Sequence, residues 1–167
     1  MTQTLPEDPI ALARRHWIER GWDDAADGMA LVTSIMRIQQ ELLARIDDEL
    51  QEFQLTFARY EVLMLLEFTR AGRLPLGKIG ERLQVHPASV TNVVQRLADD
   101  GLVDRSPNPD DGRSTLAAIT ADGAAIALAA TEHLNRRVFT DLPLDPTDQV
   151  EMFEILTTVR HAFGDFT

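Results

Sequence analysis

Apolar residues recur along most of this chain at spacings of three and four, the period of helices that bury one face. Residues 1–10 break that pattern with two prolines and two acids, and read as a loose arm. A short helix is expected over 11–20, stopped by Gly21. One long, proline-free helix follows over 27–53. Its Leu31, Ile35, Ile38 and Leu42 alternate steps of four and three, a narrow seam suited to a second helix. Leu43, Ile46, Leu50 and Phe53 carry the apolar stripe further, giving more apolar surface than one small domain needs to cover.

Thr56 is placed to cap a helix over 57–70 that Gly72 ends. The core of that helix, VLMLLEF, is apolar on nearly every side, so it should be central and buried. Shorter helices are expected over 76–83 and 87–100, the second opened by Pro87 and stopped by Gly101. Two short strands, 102–105 and 114–119, flank the turn sequence SPNPDDGR. Thr120 then caps a helix reaching about residue 140. Pro143 and Pro146 interrupt the chain before a last helix over 147–163, striped by Val150, Phe153, Leu156, Val159 and Phe163. The expected fold is mainly α, with one β-hairpin set inside it.

The two short helices before the hairpin have the burial pattern of a helix-turn-helix. Ile79 and Leu83 face inward on the first, and Val85 should plug the turn. Val90, Val93, Val94 and Leu97 form an i, i+3, i+4, i+7 face on the second. Gly80 falls mid-helix, where only a small residue lets the second helix cross closely. The opposite face of the second helix offers Ala88, Ser89, Thr91, Asn92, Gln95 and Arg96, short groups able to reach base edges or phosphates. No acid interrupts that face before Asp99. His86, just ahead of Pro87, is placed to cap the helix or to touch a phosphate. Taken alone, the pair also fits a plain αα-hairpin with a polar face. The hairpin behind it favours a winged helix, with Asp110-Asp111-Gly112-Arg113 as the tip of the wing. Arg113 would enter a minor groove, where a narrow groove attracts a guanidinium. Asp111 is placed to hold that side chain by a charge-assisted hydrogen bond, although Asp-Asp-Gly is equally an ordinary turn sequence.

Charge sharpens this picture through its distribution. The 167 residues carry a net charge of −11, which taken whole argues against nucleic acid. Residues 73–116 are neutral, with six basic and six acidic groups, so the acidity lies outside the winged-helix segment. There is no cysteine, which excludes disulfides, thiolate metal sites and thiol-based redox sensing. The longest apolar run, 124–130, is far too short to span a membrane, and no secretory leader is evident, so a soluble cytoplasmic protein is expected. The four histidines form no metal-ligand spacing, and no cofactor motif, phosphate loop or nucleophile elbow is present. No enzyme, metal or cofactor is therefore expected.

The segments LTFARYEVLMLL (55–66), LGKIGERLQVHPASVTNVVQRLADDGLVDR (76–105), DDGRS (110–114) and ITADG (119–123), in this order and spacing, resemble the MarR family of bacterial transcription regulators. The resemblance covers about residues 27–163. It implies a homodimer whose first and last helices intertwine, and a winged helix in each subunit bound to a palindromic DNA operator. It further implies a repressor released by a small effector, a phenolic or purine acid. On this reading 1–26 are an arm and extra helix, 27–54 and 121–167 the helical dimerisation region, and 55–120 the DNA-binding domain. DNA contacts are expected from His86, Pro87, Ala88, Ser89, Thr91, Asn92, Gln95, Arg96, Asp111, Gly112 and Arg113. The additional N-terminal helix with a tryptophan is similar to the urate-responsive branch of the family. That likeness implies an effector site using Trp17, Glu61 and Arg105, to which Tyr60 and Met64 are added as expected ligand contacts, while Trp17 and Trp22 equally fit a role in docking the N-terminal helix onto the dimer body. The branch pattern is broken where Glu61 stands for an aspartate and Val93 for an arginine, which departs from a urate site. The alternative function is a winged-helix module for protein contacts without DNA.

Overall fold

The computed structural model describes residues 5–109 and 111–167. Asp110 of the wing tip and residues 1–4 of the N-terminal arm lie outside the described residues. The chain divides into two compact units, Met1–Arg45 and Ile46–Thr167.

The first unit holds helix α1 (Pro9–Glu19) and most of helix α2 (Asp23–Leu50). Helix α1 starts two residues earlier than the apolar pattern alone predicts. Asp8 accepts the Ile10 N–H at 2.9 Å and Pro9 takes the first helical position, so local capping chemistry decides the start. Gly21, at φ 76, turns the chain, and α2 begins at Asp23 rather than at residue 27. Two acids open α2, where they complement the positive end of the helix dipole. Arg14 pairs with Asp27 at 2.5 Å, and Trp17 meets Trp22 edge-on with ring centroids 5.3 Å apart. The predicted seam on α2 is open: Leu31 and Ile38 are 60% and 50% exposed.

The second unit takes the end of α2 and closes it with a 3₁₀ turn (Gln51–Phe53). Helix α3 (Phe57–Glu67) follows, then strand β1 (Arg73–Pro75), helix α4 (Leu76–Leu83) and helix α5 (Pro87–Asp99). Strands β2 (Val103–Asn108) and β3 (Asp111–Ile119) form the hairpin. Helix α6 (Ala121–Leu134) runs on into a π-helical turn (Asn135–Phe139), and helix α7 (Pro146–Ala162) ends the fold.

Leu50, Leu63, Leu66, Ile79, Val94, Leu97 and Leu134 are fully buried in one cluster, with α3 at its centre as its apolar sequence requires. The start of α3 is not held as expected. Thr56 has extended geometry but its side chain makes no cap bond, and Asp47 of α2 instead accepts the Phe57 N–H at 2.6 Å. The helix also stops at Glu67, short of residue 70. Thr69 turns its hydroxyl onto the Leu65 carbonyl, and Gly72, at φ 62, redirects the chain into β1. That strand carries no alternation to mark it. It exists because β3 offers it a partner, pairing Arg73 with Ala118 and Pro75 with Leu116. The sheet order is β1-β3-β2, all antiparallel.

On α6, His133 meets Glu49 at 2.6 Å through Nε2 and Glu52 at 2.9 Å through Nδ1, tying this helix to the end of α2. The His133 hydrogen bond holds the Glu49 carboxyl below its ordinary pKa, with Arg137 adding to the effect. Helix α7 buries none of its residues, and Phe153, Ile155 and Phe163 are mostly exposed. Among the described residues no helix is long and apolar enough to cross a membrane.

Candidate nucleic-acid interface

Helices α4 and α5 cross as a helix-turn-helix, and the crossing depends on Gly80. A Cβ there would lie 3.2 Å from the Val85 carbonyl oxygen and 3.3 Å from Val90 Cγ2, which is tight contact. Ile79, Val90, Val94 and Leu97 are buried as their spacing predicts, while Val93 is partly buried. Val85 does not plug the turn, since it is 41% exposed. Its backbone closes the turn instead. The Val85 N–H reaches the Gly80 carbonyl at 3.1 Å after Gln84 adopts left-handed geometry at φ 54.

Helix α5 begins by local chemistry. His86 Nδ1 accepts the Ala88 N–H at 3.2 Å, so the imidazole caps the helix, and Pro87 occupies the first turn. The face opposite the core is exposed at Ala88, Ser89, Thr91, Asn92, Gln95 and Arg96. These side chains are not equally available. Thr91 spends its hydroxyl proton on the Pro87 carbonyl at 3.0 Å. Gln95 donates to Asp99 at 2.7 Å and accepts from Arg105 of β2. Among the described residues, Asn92 and Arg96 make no side-chain hydrogen bond or ion pair, so both can be spent on a ligand.

The wing is longer in strand and shorter in loop than its sequence suggests. Pairing runs from Val103 opposite Ile119 to Asn108 opposite Asp111, with an irregularity between Pro107 and Asn108. Side chains hold the tip: Asn108 Nδ2 donates to Ser114 Oγ at 2.8 Å, and Ser114 Oγ donates to the Asp111 carbonyl at 3.1 Å. Asp111 Oδ1 accepts the backbone N–H of Arg113 at 3.1 Å, an Asx turn. The bond expected from this carboxylate to the Arg113 guanidinium does not form. The turn takes the carboxylate, and among the described residues the exposed guanidinium has no ion pair.

The residues expected around an effector are spread over several elements. Tyr60 and Met64 are buried on α3 and meet through Thr131 of α6. The Tyr60 and Thr131 hydroxyls lie 2.9 Å apart, and Thr131 Oγ1 is 3.2 Å from Met64 Sδ. Thr131 was not legible as a partner, since 71 positions separate it from Tyr60. Trp17 is half-buried on α1, and Arg105 is turned to Gln95. Glu61 is half-buried on α3, and burial pushes its carboxyl above the ordinary carboxylate range. Ionised Glu61 therefore costs folding free energy at neutral pH, a cost relieved as pH falls through the raised value. Glu61→Gln is expected to stabilise the protein at pH 7, with the gain gone once pH falls below the ordinary carboxylate range. Urea unfolding of both proteins across pH checks this, and an offset that stays constant with pH would contradict it. Among the described residues no group of three or more His, Asp or Glu is placed to hold a metal ion.

A helix-turn-helix followed by a β-hairpin wing, with β1 completing a three-stranded sheet, defines a winged-helix protein. The profile of the MarR family matches residues 55–115, which include the helix-turn-helix and most of the wing. The crystal structure of Sco5413, a MarR family transcriptional regulator from Streptomyces coelicolor, is 49% identical with a TM-score of 0.78, over 84% of this chain and 97% of that one. An HTH-type transcriptional regulator of Mycobacterium leprae, ML2140, is 32% identical over 107 residues, 64% of this chain and 71% of the relative. Sco3205, a second Streptomyces coelicolor regulator of the family, solved in complex with DNA, is 22% identical with a TM-score of 0.71, over 82% of this chain and 88% of that one. At that identity the likeness shows the fold. The chain belongs to the MarR family of transcriptional regulators, and it is not an enzyme.

Proposed function

We propose that this chain is a homodimeric, sequence-specific DNA-binding regulator that represses from a palindromic operator and is released by a small aromatic acid. The observation that carries DNA binding is the outer face of α5, which is exposed, free of acids from Pro87 to Arg96, and still holds Asn92 and Arg96 unspent. The wing adds Arg113, which has no ion pair among the described residues, on a tip stiffened by its own hydrogen bonds. In this reading residues 55–120 bind DNA, while 27–54 and 121–167 form the dimer. Helix α7 supports the second part, because a helix with no buried residue and an exposed Phe153, Ile155 and Phe163 needs a partner surface.

Selection from a pool of random duplexes, followed by affinity measurement on the selected and a scrambled sequence across a salt series, tests the proposal. Binding should favour the selected duplex and weaken steeply with salt, because Lys and Arg contacts to phosphate release counterions. The selected site should hold two half-sites about one helical turn apart. Light scattering should give a dimer at micromolar concentration. A module for protein contacts would bind neither duplex with salt dependence. For the effector, phenolic and purine acids that raise the melting temperature should also release the DNA, since a ligand of the folded state stabilises it by mass action.

A further inference from the structure

Among the exposed side chains of α5, Gln95 alone is held at both ends of its amide. Its carbonyl oxygen accepts from the Arg105 guanidinium on β2, and its Nε2 donates to Asp99 Oδ1 at 2.7 Å, one helical turn along. The polarity of these two neighbours forbids the amide from turning over. A flipped amide would set its NH2 against a guanidinium that only donates, and its oxygen against a carboxylate that only accepts. The two bonds also leave a definite remainder. An amide has two donor hydrogens and two acceptor lone pairs, so one of each is spent and one of each stays free. Adenine shows one acceptor, N7, and one donor, the N6 amine, in the major groove, whereas guanine shows two acceptors.

We propose that Arg105 and Asp99 are positioning residues that lock the Gln95 amide in one orientation, so that Gln95 reads adenine and rejects guanine at one base pair of each half-site. The inference rests on the reading of α5 as the base-reading helix. It assigns Arg105 a role in specificity, acting through Gln95. A locked amide loses less rotamer freedom on binding than a free one, which favours the matched base without any additional bond.

The experiment uses the duplex selected by the wild-type dimer and the same duplex with each base pair replaced in turn. Affinities are measured for wild type, Gln95→Ala, Arg105→Ala, Asp99→Ala and the Gln95→Ala/Arg105→Ala pair. Wild type should prefer adenine to guanine by roughly 5- to 150-fold, the worth of one bidentate pairing, at the position where Gln95→Ala is indifferent. Arg105→Ala and Asp99→Ala should each cut that ratio by about fivefold or more. Arg105→Ala should add nothing once Gln95 is gone. Asp99→Ala removes a negative charge and is expected to raise affinity for all duplexes alike, so the ratio at one position is the readout. An unchanged adenine-to-guanine ratio in Arg105→Ala overturns the proposal. So does an unchanged ratio with a salt slope lowered by about 0.9 per subunit, which would make Arg105 a phosphate contact. If wild type selects no sequence at all, the failure is of DNA reading itself, and this inference falls with it.

Discussion

Gly123→Ala is expected to unfold the protein about 10 °C below the wild type, through a single added methyl group. An ideal Cβ at Gly123 would lie 2.1 Å from the Leu102 carbonyl oxygen, 3.0 Å from its carbon and 3.1 Å from Ile119 Cγ1. Two of these three atoms are backbone and cannot rotate aside. The backbone around them is pinned as well. Thr120 Oγ1 accepts the Gly123 N–H at 3.0 Å and donates to the Gly101 carbonyl at 2.9 Å. The Thr120 N–H reaches the Leu102 carbonyl at 3.1 Å. The residue leading into β2, the exit of β3 and the first turn of α6 thus converge on a space with no room for a side chain. Over-packing of this kind costs typically up to about 3 kcal/mol. A loss of that size lowers the melting temperature of a chain of this length by on the order of 10 °C. Gly77→Ala serves as the control, since a Cβ there meets nothing within 4 Å, and it should melt at or slightly above the wild-type temperature. Thermal unfolding of the three proteins decides the matter. A Gly123→Ala protein as stable as wild type would mean that α6 does not start against Leu102.

The second large effect separates the recognition helix from the wing. Asn92 stands on the exposed face of α5 with its amide unspent, so Asn92→Ala should relax base preference at one position of each half-site. The cost should be roughly 1–3 kcal/mol for each bidentate base pairing removed. Arg113 is different. Its guanidinium extends from a tip already organised by the Asp111 and Asn108 side chains, and minor-groove readout is degenerate. Arg113→Ala should therefore weaken binding to specific and scrambled duplexes alike. It should also flatten the dependence of log K on log salt by about 0.9 for each phosphate charge released per subunit. The Asp111 bond to the backbone N–H survives this substitution, so the wing keeps its shape and the weakening reports on charge alone. If Arg113→Ala kept both affinity and salt slope, the wing would be a plain loop with no part in binding.

Much of the architecture was legible because it is set by neighbours in the chain. Apolar spacing marked α4 and α5 and the buried Ile79, Val90, Val94 and Leu97. Pro87 and His86 marked the start of α5, Thr120 the start of α6, and Gly80 the close crossing, each through an interaction a few residues long. The same local rules made the outer face of α5 and the wing readable as a candidate DNA surface. Other features were settled only when distant segments met. Strand β1 has no alternation of its own and forms because β3 presents an edge to it. Helix α3 is capped by Asp47, ten positions upstream, after Thr56 left its capping role unfilled. Asp111 took the backbone rather than the guanidinium, since a carboxylate two residues away closes an Asx turn without ordering a long side chain. The Gln95–Asp99 bond follows from helical spacing, as residues four apart share a face. The Arg105 bond to Gln95 needed the hairpin to fold back against α5, a placement carried by long-range packing and invisible to any local pattern.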